Sequence, residues 1–281
     1  MNAVDAILER ALAEDAPWGD ATSEAFLPET AEAAAELVAR EAGVLSGIEV
    51  FARVFMLADT AVDVETVAAD GQRFDSGEVL ARVSGPARSV LRAERVALNL
   101  VQRMSGIATE TARYVAAVDG TGARIVDTRK TAPGLRILER QAVRDGGGRN
   151  HRFSLSDAVL VKDNHLAVLA AQGIPAGEAI RRARATLPHT TSIEVEVDRL
   201  DQIEEVLAAG ADTVMLDNFT LDQLHAGVAL IAGRARVEAS GGVDLGTVAA
   251  IAATGVDVIS VGALTHSVRA LDLGLDIRVQ V

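Results

Sequence analysis

The chain has 281 residues, no cysteine and a formal net charge of −13 at pH 7. Disulfides and thiolate metal sites are therefore excluded, and the negative charge argues against general nucleic-acid binding, which needs a broad basic face. No apolar run approaches the roughly 18 residues of a membrane span, and the acidic N-terminus differs from a secretory signal, so we expect a cytoplasmic protein without a membrane partner.

The first hundred residues predict a small α+β unit. Apolar residues at helical spacing predict helices over 2–14 and 49–57. Alternating and β-branched segments predict strands within 36–48, with a turn at Gly43, and near 62–67 and 79–83. Aromatic residues make up only 3% of the chain, so the core must be built from aliphatic side chains.

A strong helix is predicted to open at Pro86 and to end at Gly106. Arg88, Arg92 and Arg95 are spaced so that they share one face of this helix. Three cations on one face repel each other. They are therefore either solvated or directed at an anion or an acidic partner surface.

From residue 107 the pattern changes to short apolar strands that alternate with helices at a period of about twenty residues. Such repeats predict a parallel sheet with right-handed crossovers. The absence of a G-x-G-x-x-G turn favours an α/β barrel over a dinucleotide-binding sheet. The predicted strands lie near 124–128, 157–164, 192–198, 213–218, 236–242 and 257–263, and helices are predicted over 199–209, 220–232 and 244–254.

Residues 124–165 are rich in cations, although the chain as a whole is acidic. Nearly every cationic residue of the chain is an arginine. Its two lysines, Lys130 and Lys162, both fall in this stretch. Lysine is a compact point charge and arginine a planar fork, so the choice indicates a specific use of the ammonium group. A local positive field in an acidic protein predicts a site for a small anion. The alternative is an ordinary solvated helix.

In a parallel barrel the active site lies at the carboxyl ends of the strands, and here those ends carry charged or glycine-rich elements. Glu194, Glu196 and Asp198 alternate along one strand and so share one side of it. They could be partners of the lysines, either in an active site or in a structural salt bridge. The glycine turns after the last two strands favour a phosphate site, although they could also be plain helix-entry turns. Together the strand ends predict a polyanionic substrate.

At these residues the chain resembles the quinolinate phosphoribosyltransferase family. The resemblance covers almost the whole chain in the expected order, and several of the shared motifs are long. It rests on the motifs REAGVLSG, AERVALNLVQRMSGIAT, DTRKTAPGLR, GGGRNHRFSLSDAVLVKDNH, EVEVD, MLDNF, EASGG and VGALTHS.

The resemblance implies an α/β fold in which an N-terminal α/β (α+β) sandwich is followed by an incomplete parallel α/β barrel. The implied domains are 1–106 for the sandwich, 107–265 for the barrel and 266–281 for a tail that returns to the sandwich. It also implies a homodimer or an assembly of dimers, in which Arg95 reaches quinolinate in the neighbouring subunit's site.

The resemblance further implies conversion of quinolinate and phosphoribosyl pyrophosphate to nicotinate mononucleotide, pyrophosphate and carbon dioxide, with Mg²⁺, in de novo NAD synthesis. Lys130, Lys162, Glu196 and Asp217 would be catalytic, and Glu196 and Asp217 would also serve the metal, largely through substrate and water. The remaining implied substrate-binding residues are Thr128, Arg129, His151, Arg152, Ser240, Gly241, Gly242, Val261, Gly262 and Ala263.

Three alternatives stay open at this point. A related barrel family from molybdenum-uptake gene clusters shares part of the pattern but lacks a lysine at the position of Lys162. An aldolase-type barrel could use Lys130 or Lys162 as a Schiff-base nucleophile. A ligand-sensing barrel could bind a nucleotide without turnover, although the full set of cations and carboxylates argues against it.

Overall fold

The computed structural model describes residues 3–278. Within this range the chain forms two compact units. The first unit contains the residues up to Ala112, the segment Thr131–Gly147 and the residues from Leu264 onward. The second unit contains Arg113–Lys130 and Gly148–Ala263. The predicted domain boundaries at residues 106 and 265 divide the chain in sequence, whereas the compact units are discontinuous in sequence.

The helices and strands follow one another as a mixed α/β chain. Up to residue 117 they are α1 (Ala3–Asp15), α2 (Ala21–Phe26), β1 (Glu32–Ala39), β2 (Gly43–Val44), α3 (Ile48–Ala58), β3 (Asp63–Thr66), β4 (Arg73–Phe74), β5 (Val79–Pro86) and α4 (Ala87–Ala117). After residue 117 they are β6 (Arg124–Val126), α5 (Arg136–Asp145), β7 (Val159–Val161), α6 (Asp163–Ala171), α7 (Ala176–Thr186), β8 (Ile193–Val197), α8 (Ile203–Ala208), β9 (Thr213–Asp217), α9 (Leu221–Ile231), β10 (Arg236–Ser240), α10 (Val248–Ala253), β11 (Val258–Ser260), α11 (Ala263–His266) and β12 (Leu273–Arg278).

The first unit is built on a four-stranded sheet in the order β12-β1-β5-β3. Strand β1 lies between β12 and β5 and pairs antiparallel with both. Its buried residues alternate with partly exposed ones, as expected for a sheet with one face in a core. The predicted return of the tail therefore corresponds to β12, and residues 279–281 of that tail lie outside the described residues.

The core of the first unit is mainly aliphatic, with a few aromatic anchors. Phe51 and Phe55 of α3 are fully buried and pack edge to face with ring centroids 5.1 Å apart. Leu8 of α1 is also fully buried, and α1 packs on α3. Burial of each such side chain stabilises the fold by about 1.5–3 kcal/mol.

The predicted end of the long helix at Gly106 is wrong, because α4 continues to Ala117. Gly106 is buried, and a Cβ placed on it would lie 2.2 Å from the carbonyl oxygen of Arg269. This glycine therefore allows a close approach of two chain segments and does not end the helix. Sequence patterns do not distinguish these two uses of glycine.

Replacing Gly106 with alanine should lower the free energy of unfolding by roughly 1–3 kcal/mol, because the added methyl group meets backbone rather than a flexible side chain. Thermal and denaturant unfolding would measure the loss. Gly122→Ala is the matched control, since a Cβ at Gly122 has no atom within 4 Å. A Gly106→Ala protein as stable as the control would contradict this explanation.

Two of the three arginines on the predicted stripe bind within the first unit. The Arg88 guanidinium donates through Nε to the carbonyl oxygen of Leu27 at 3.1 Å. The Arg92 guanidinium donates to the carbonyl oxygen of Ala58 at 2.6 Å. Both carbonyls lie at helix C-termini, where such donors satisfy unpaired backbone acceptors. The Arg95 side chain is exposed and has no hydrogen bond or ion pair within residues 3–278.

The second unit is built on six parallel strands in the order β6-β11-β10-β9-β8-β7. The strands from β7 to β11 pair in sequence order, and β6 pairs with β11. No pairing joins β6 to β7 among the described residues, so these strands are the two edges of the sheet. The predicted α/β class with an N-terminal domain and a parallel C-terminal sheet is confirmed.

Strand β8 separates an apolar face from a polar face. Ile193, Val195 and Val197 are at most 1% exposed, and Glu194 and Glu196 between them are buried at 8% exposure. A buried carboxylate needs a cation or hydrogen bonds, so this strand sets up the chemistry of the second unit. Within residues 3–278, every helix is too short or too polar to span a bilayer.

Candidate active site

The second unit holds a cavity of about 550 Å³ at the carboxyl ends of its strands. Its residues come from separate segments of the chain, and the parallel strand order brings them together. The predicted site residues that line it are Thr128, Arg129, Lys130, His151, Arg152, Lys162, Glu196, Asp217, Ser240, Gly241 and Gly242.

Four predicted site residues lie elsewhere. Val261, Gly262 and Ala263 do not line the cavity, and the Val261 backbone N–H donates to the carbonyl oxygen of Val126 at 3.0 Å. Arg95 lies on α4 in the part that belongs to the first unit. The roles assigned to these four residues stay predictions.

A buried carboxylate organises the segment that carries His151. Asp127 is fully buried just after β6. One of its oxygens accepts the His151 backbone N–H at 2.7 Å, and the other accepts the Asn150 side-chain amide at 2.7 Å. These bonds, together with a bridge between Val126 and Arg149, hold the segment against β6.

Both ring nitrogens of His151 have protein partners. Nδ1 accepts the backbone N–H of Arg152 at 2.7 Å, and Nε2 lies 3.1 Å from Glu194 and 3.6 Å from Glu238. Burial works against the imidazolium, but the hydrogen bond to Glu194 and the charges of Glu238, Glu194 and Asp127 outweigh it and raise the pKa of His151. The Nδ1 contact favours the neutral ring with its proton on Nε2, so protonation requires that this contact be lost.

The cluster of His151, Glu194 and Glu238 has the spacing of a metal site, since one ligand atom from each residue lies within 4.8 Å of the others. Its hydrogen bonding does not fit a metal. A metal-bound imidazole presents an unprotonated nitrogen to the ion and donates a proton from the other nitrogen. Here the other nitrogen is an acceptor. His151 and Glu238 of this cluster line the floor of the cavity, and His151 is hydrogen-bonded to Glu194 beside them.

Two guanidinium groups, those of Arg129 and Arg152, line the same cavity. Burial and the charge of Arg129 lower the pKa of Arg152, because a second cation disfavours its charged form. The Nε atoms of both arginines are buried without a hydrogen-bond partner. Arg152 donates from one terminal nitrogen to the carbonyl oxygen of Ala158 at 2.9 Å. A pair of crowded cations with unused donors favours a bound anion.

Another part of the same lining combines a lysine with two carboxylates. Lys162 lies just before α6. Its Nζ atom is 2.5 Å from a carboxylate oxygen of Glu196. Burial and the charge of Glu196 raise the pKa of Asp217, whereas Lys162 and hydrogen bonds from Ser240 and Asn218 oppose that rise. Carboxylates that crowd each other in this way stabilise a cation placed between them.

The turn after β10 depends on two glycines. Gly241 and Gly242 both have positive φ angles, of 91° and 60°. A Cβ at Gly241 would lie 2.2 Å from the side-chain oxygen of Asn218, which excludes larger residues there. Asn218 itself has a φ of 57°, and its backbone N–H donates to the carbonyl oxygen of Ser240 at 2.8 Å. Glycine turns at this place in a barrel expose backbone N–H groups that can bind phosphate.

Comparison with known families accounts for both parts of the chain. Residues 20–105 match the N-terminal domain of quinolinate phosphoribosyl transferase, and residues 107–276 match its C-terminal domain. The chain belongs to the quinolinate phosphoribosyltransferase family.

Individual relatives agree along nearly the full length. The chain is 44% identical over 279 residues to the nicotinate-nucleotide pyrophosphorylase (carboxylating) of Mycobacterium leprae, covering 96% of this chain and 95% of that protein. It is 44% identical to NadC of Streptococcus pyogenes, whose crystal structure superposes with a TM-score of 0.93 over 98% of this chain and 96% of that one. The nicotinate-nucleotide pyrophosphorylase of Ehrlichia chaffeensis is 37% identical, with a TM-score of 0.92 and 98% of each chain covered.

Within this quinolinate phosphoribosyltransferase fold, the cavity also includes residues to which the sequence predictions gave no role. They are Leu160, Met215, Asn218, Glu238 and Ser260. Glu238 could have been found, because it lies two residues before Ser240 and so shares its side of β10. The partners of Glu238 could not have been found in this way, because they come from distant parts of the sequence.

The cation-rich stretch of the quinolinate phosphoribosyltransferase chain is divided by the fold. Arg129, Lys130, Arg152 and Lys162 line the cavity. The helix α5, which carries Arg136, Arg140 and Arg144, belongs to the first unit. Its Glu139 is 1% exposed and forms an ion pair with Arg103. Local charge in the sequence therefore overstated the number of cations at the site.

Proposed function

We propose that the protein is a quinolinate phosphoribosyltransferase that makes nicotinate mononucleotide, pyrophosphate and carbon dioxide from quinolinate and phosphoribosyl pyrophosphate, as a step of de novo NAD synthesis. The observation that carries the proposal is the pair of crowded guanidiniums, Arg129 and Arg152, which share one cavity with the Lys162, Glu196 and Asp217 group. One wall suits a dicarboxylate, and the other suits a sugar that becomes positively charged.

Quinolinate would bind against the cationic wall. Arg129 and Arg152 offer unused donors to its two carboxylates, and Lys130 and Thr128 lie on the same cavity lining. His151 would act differently from the sequence prediction. Since both of its ring nitrogens already have protein partners, it would orient Arg152 and present its ring to the substrate rather than a free donor.

Phosphoribosyl pyrophosphate would bind across the carboxylates and the glycine turn. Ser240, Gly241 and Gly242 would bind its 5-phosphate, with the predicted contribution of residues 261–263 retained as part of the proposal. Departure of pyrophosphate leaves an oxocarbenium-like ribose, which Glu196 and Asp217 would stabilise while Lys162 and the arginines stabilise the leaving anion. Much of the rate would come from holding two anions together that otherwise repel each other.

The chemical step balances without an oxidant or reductant. The ring nitrogen of quinolinate forms a bond to the anomeric carbon as the bond to pyrophosphate breaks. The ring is then cationic, which favours loss of the adjacent carboxylate as carbon dioxide. The electron pair of that broken bond stays on the ring carbon, which takes up a proton.

We propose that the reaction uses Mg²⁺, and the carboxylates of Glu196 and Asp217 suit such an ion. The charge of Glu196 raises the pKa of Asp217, and a divalent cation would relieve this repulsion. Glu196 and Asp217 would hold the ion, largely through substrate and water. When bound, it would neutralise charge on the pyrophosphate leaving group.

We further propose a homodimer, or an assembly of dimers, in which Arg95 binds quinolinate held by the neighbouring subunit. Arg95 is exposed and unpaired within residues 3–278, whereas Arg88 and Arg92 of the same helix bind backbone carbonyls. We also propose a cytoplasmic location, as predicted from the sequence. The Schiff-base alternative is disfavoured for Lys162, because its ammonium group forms an ion pair with Glu196.

Quinolinate should be used in preference to nicotinate, with kcat/KM at least about tenfold higher. A site with buried donors for two carboxylates leaves some of them unpaired when one carboxylate is missing. Steady-state assays with each acid at one phosphoribosyl pyrophosphate concentration would measure the ratio. Equal turnover of the two acids would rule out a dicarboxylate site.

A further inference from the structure

Glu238 lies beneath the proposed quinolinate site and has no assigned role in the proposed reaction. It is 3% exposed on β10, and its Oε1 atom is buried without a hydrogen-bond partner. It lines the active-site cavity. It also lines a second cavity of about 400 Å³ at the amino ends of the strands. A buried carboxyl group of this kind is costly when charged.

Glu238 faces a defined set of groups from each neighbouring element. Glu194 projects from β8, and Ser260 lies on β11, where its hydroxyl opposes the rise in the pKa of Glu238. His151 lies 3.6 Å away, with Asp127 bound to its backbone N–H and Arg152 following it in the chain. Across β9 its register partner is the uncharged Met215. The other charged residues of the second cavity are Arg124, Arg149, Asp157 and Arg236.

These surroundings set the charge of Glu238. Burial and the charge of Glu194 raise its pKa to about 8, against the opposing effect of His151. The neutral acid is therefore favoured at lower pH, and the anion forms as the pH rises. Ionisation therefore adds one full negative charge beneath a cavity in which Glu194 already compensates Arg152.

We propose that Glu238 sets the affinity of the cavity for a dianionic substrate: its neutral form allows the cations of the cavity to bind the dianion, and its ionised form weakens that binding. This inference rests on the proposed function, because it takes quinolinate as the dianion. If Glu238 were ionised, two carboxylates, Glu194 and Glu238, would oppose the charges of Arg129 and Arg152 and weaken the attraction for the substrate. Glu238 would change the affinity for the substrate through its charge and would not need to touch the substrate.

The test is quinolinate binding to the wild-type protein and to Glu238→Gln, measured by calorimetry from about pH 6.5 to about pH 9.5. Both carboxylates of quinolinate stay ionised throughout this range. Wild-type affinity should fall about tenfold as the pH rises through the titration of Glu238, as expected for one added charge near the ligand. Binding of an anion favours the protonated acid, so the wild type should take up protons on binding near its midpoint.

Glu238→Gln keeps the size of the side chain and cannot ionise, so it should keep the low-pH affinity across the range and lose the linked proton uptake. The matched control is Glu204→Gln, which removes an exposed carboxylate of the same unit whose side chain is 70% exposed. This control should follow the wild-type profile. The infrared band of a protonated carboxyl group should disappear from the free wild-type protein over the same pH range and be absent from Glu238→Gln.

Two outcomes would overturn the role of Glu238. One is quinolinate binding to the wild type that does not change with pH. The other is a Glu238→Gln profile that falls in parallel with the wild type. Failure of the wild type to bind quinolinate at any pH would instead overturn the proposed function, and this inference with it.

Discussion

Replacing Lys162 with alanine should lower kcat/KM at least about 100-fold, the loss expected when one electrostatic stabiliser of a transition state is removed. Lys162 is the cation closest to Glu196, and its charge opposes the rise in the pKa of Asp217. Without it, the leaving pyrophosphate loses a positive charge. The Asp217 pKa should also rise, so the acidic limb of the pH–rate profile should move to higher pH.

The fold should survive this change, because the Lys162 side chain is 45% exposed. The same loss of kcat/KM is expected for Lys130→Ala. Arg234→Ala is the matched control, since it breaks an exposed ion pair with Glu204 in the same unit. Circular dichroism and thermal melting would check the fold of each variant. A folded Lys162→Ala protein with near-normal turnover would remove this lysine from the mechanism.

Arg95→Ala should be poorly active alone and should regain activity when mixed with Lys130→Ala. The proposed contact is a bidentate clamp on a substrate carboxylate in the neighbouring subunit, worth roughly 1.5–3 kcal/mol as a charged hydrogen bond. Each mutant homodimer lacks one group at both sites. After subunit exchange, a heterodimer has one intact site, and random assortment in a two-fold dimer restores up to about a quarter of wild-type activity.

The control for this experiment is a mixture of Lys130→Ala and Lys162→Ala. Both lysines line the same cavity of one chain, so every site in their heterodimer stays defective and no recovery is expected. Exchange should be verified by differently tagged subunits. If exchange occurs and Arg95→Ala still gains nothing from Lys130→Ala, then Arg95 does not act across a dimer interface.

Local patterns predicted the parts of the site that lie along single strands. The alternation of Glu194 and Glu196 predicted that both face the same side of β8, and both are buried there. Asp198 was predicted on that side as well, but it is exposed because β8 ends at Val197. A period of two holds only while the strand lasts.

Such local patterns do not predict contacts between residues that are far apart in the sequence. The floor of the cavity depends on His151, Glu194 and Glu238, which are far apart in sequence and meet only through the strand order of the second unit. The engagement of both His151 nitrogens could not be foreseen either. It depends on the backbone N–H of Arg152 as well as on side chains.

The most direct test of the proposed function is a product assay. The purified protein is mixed with quinolinate, phosphoribosyl pyrophosphate and magnesium, and nicotinate mononucleotide is measured together with pyrophosphate and carbon dioxide. The proposal predicts that the three products appear in equal amounts, that each substrate is required, and that folded Lys162→Ala is much slower. A folded wild-type protein that binds both substrates and forms no nicotinate mononucleotide would contradict it.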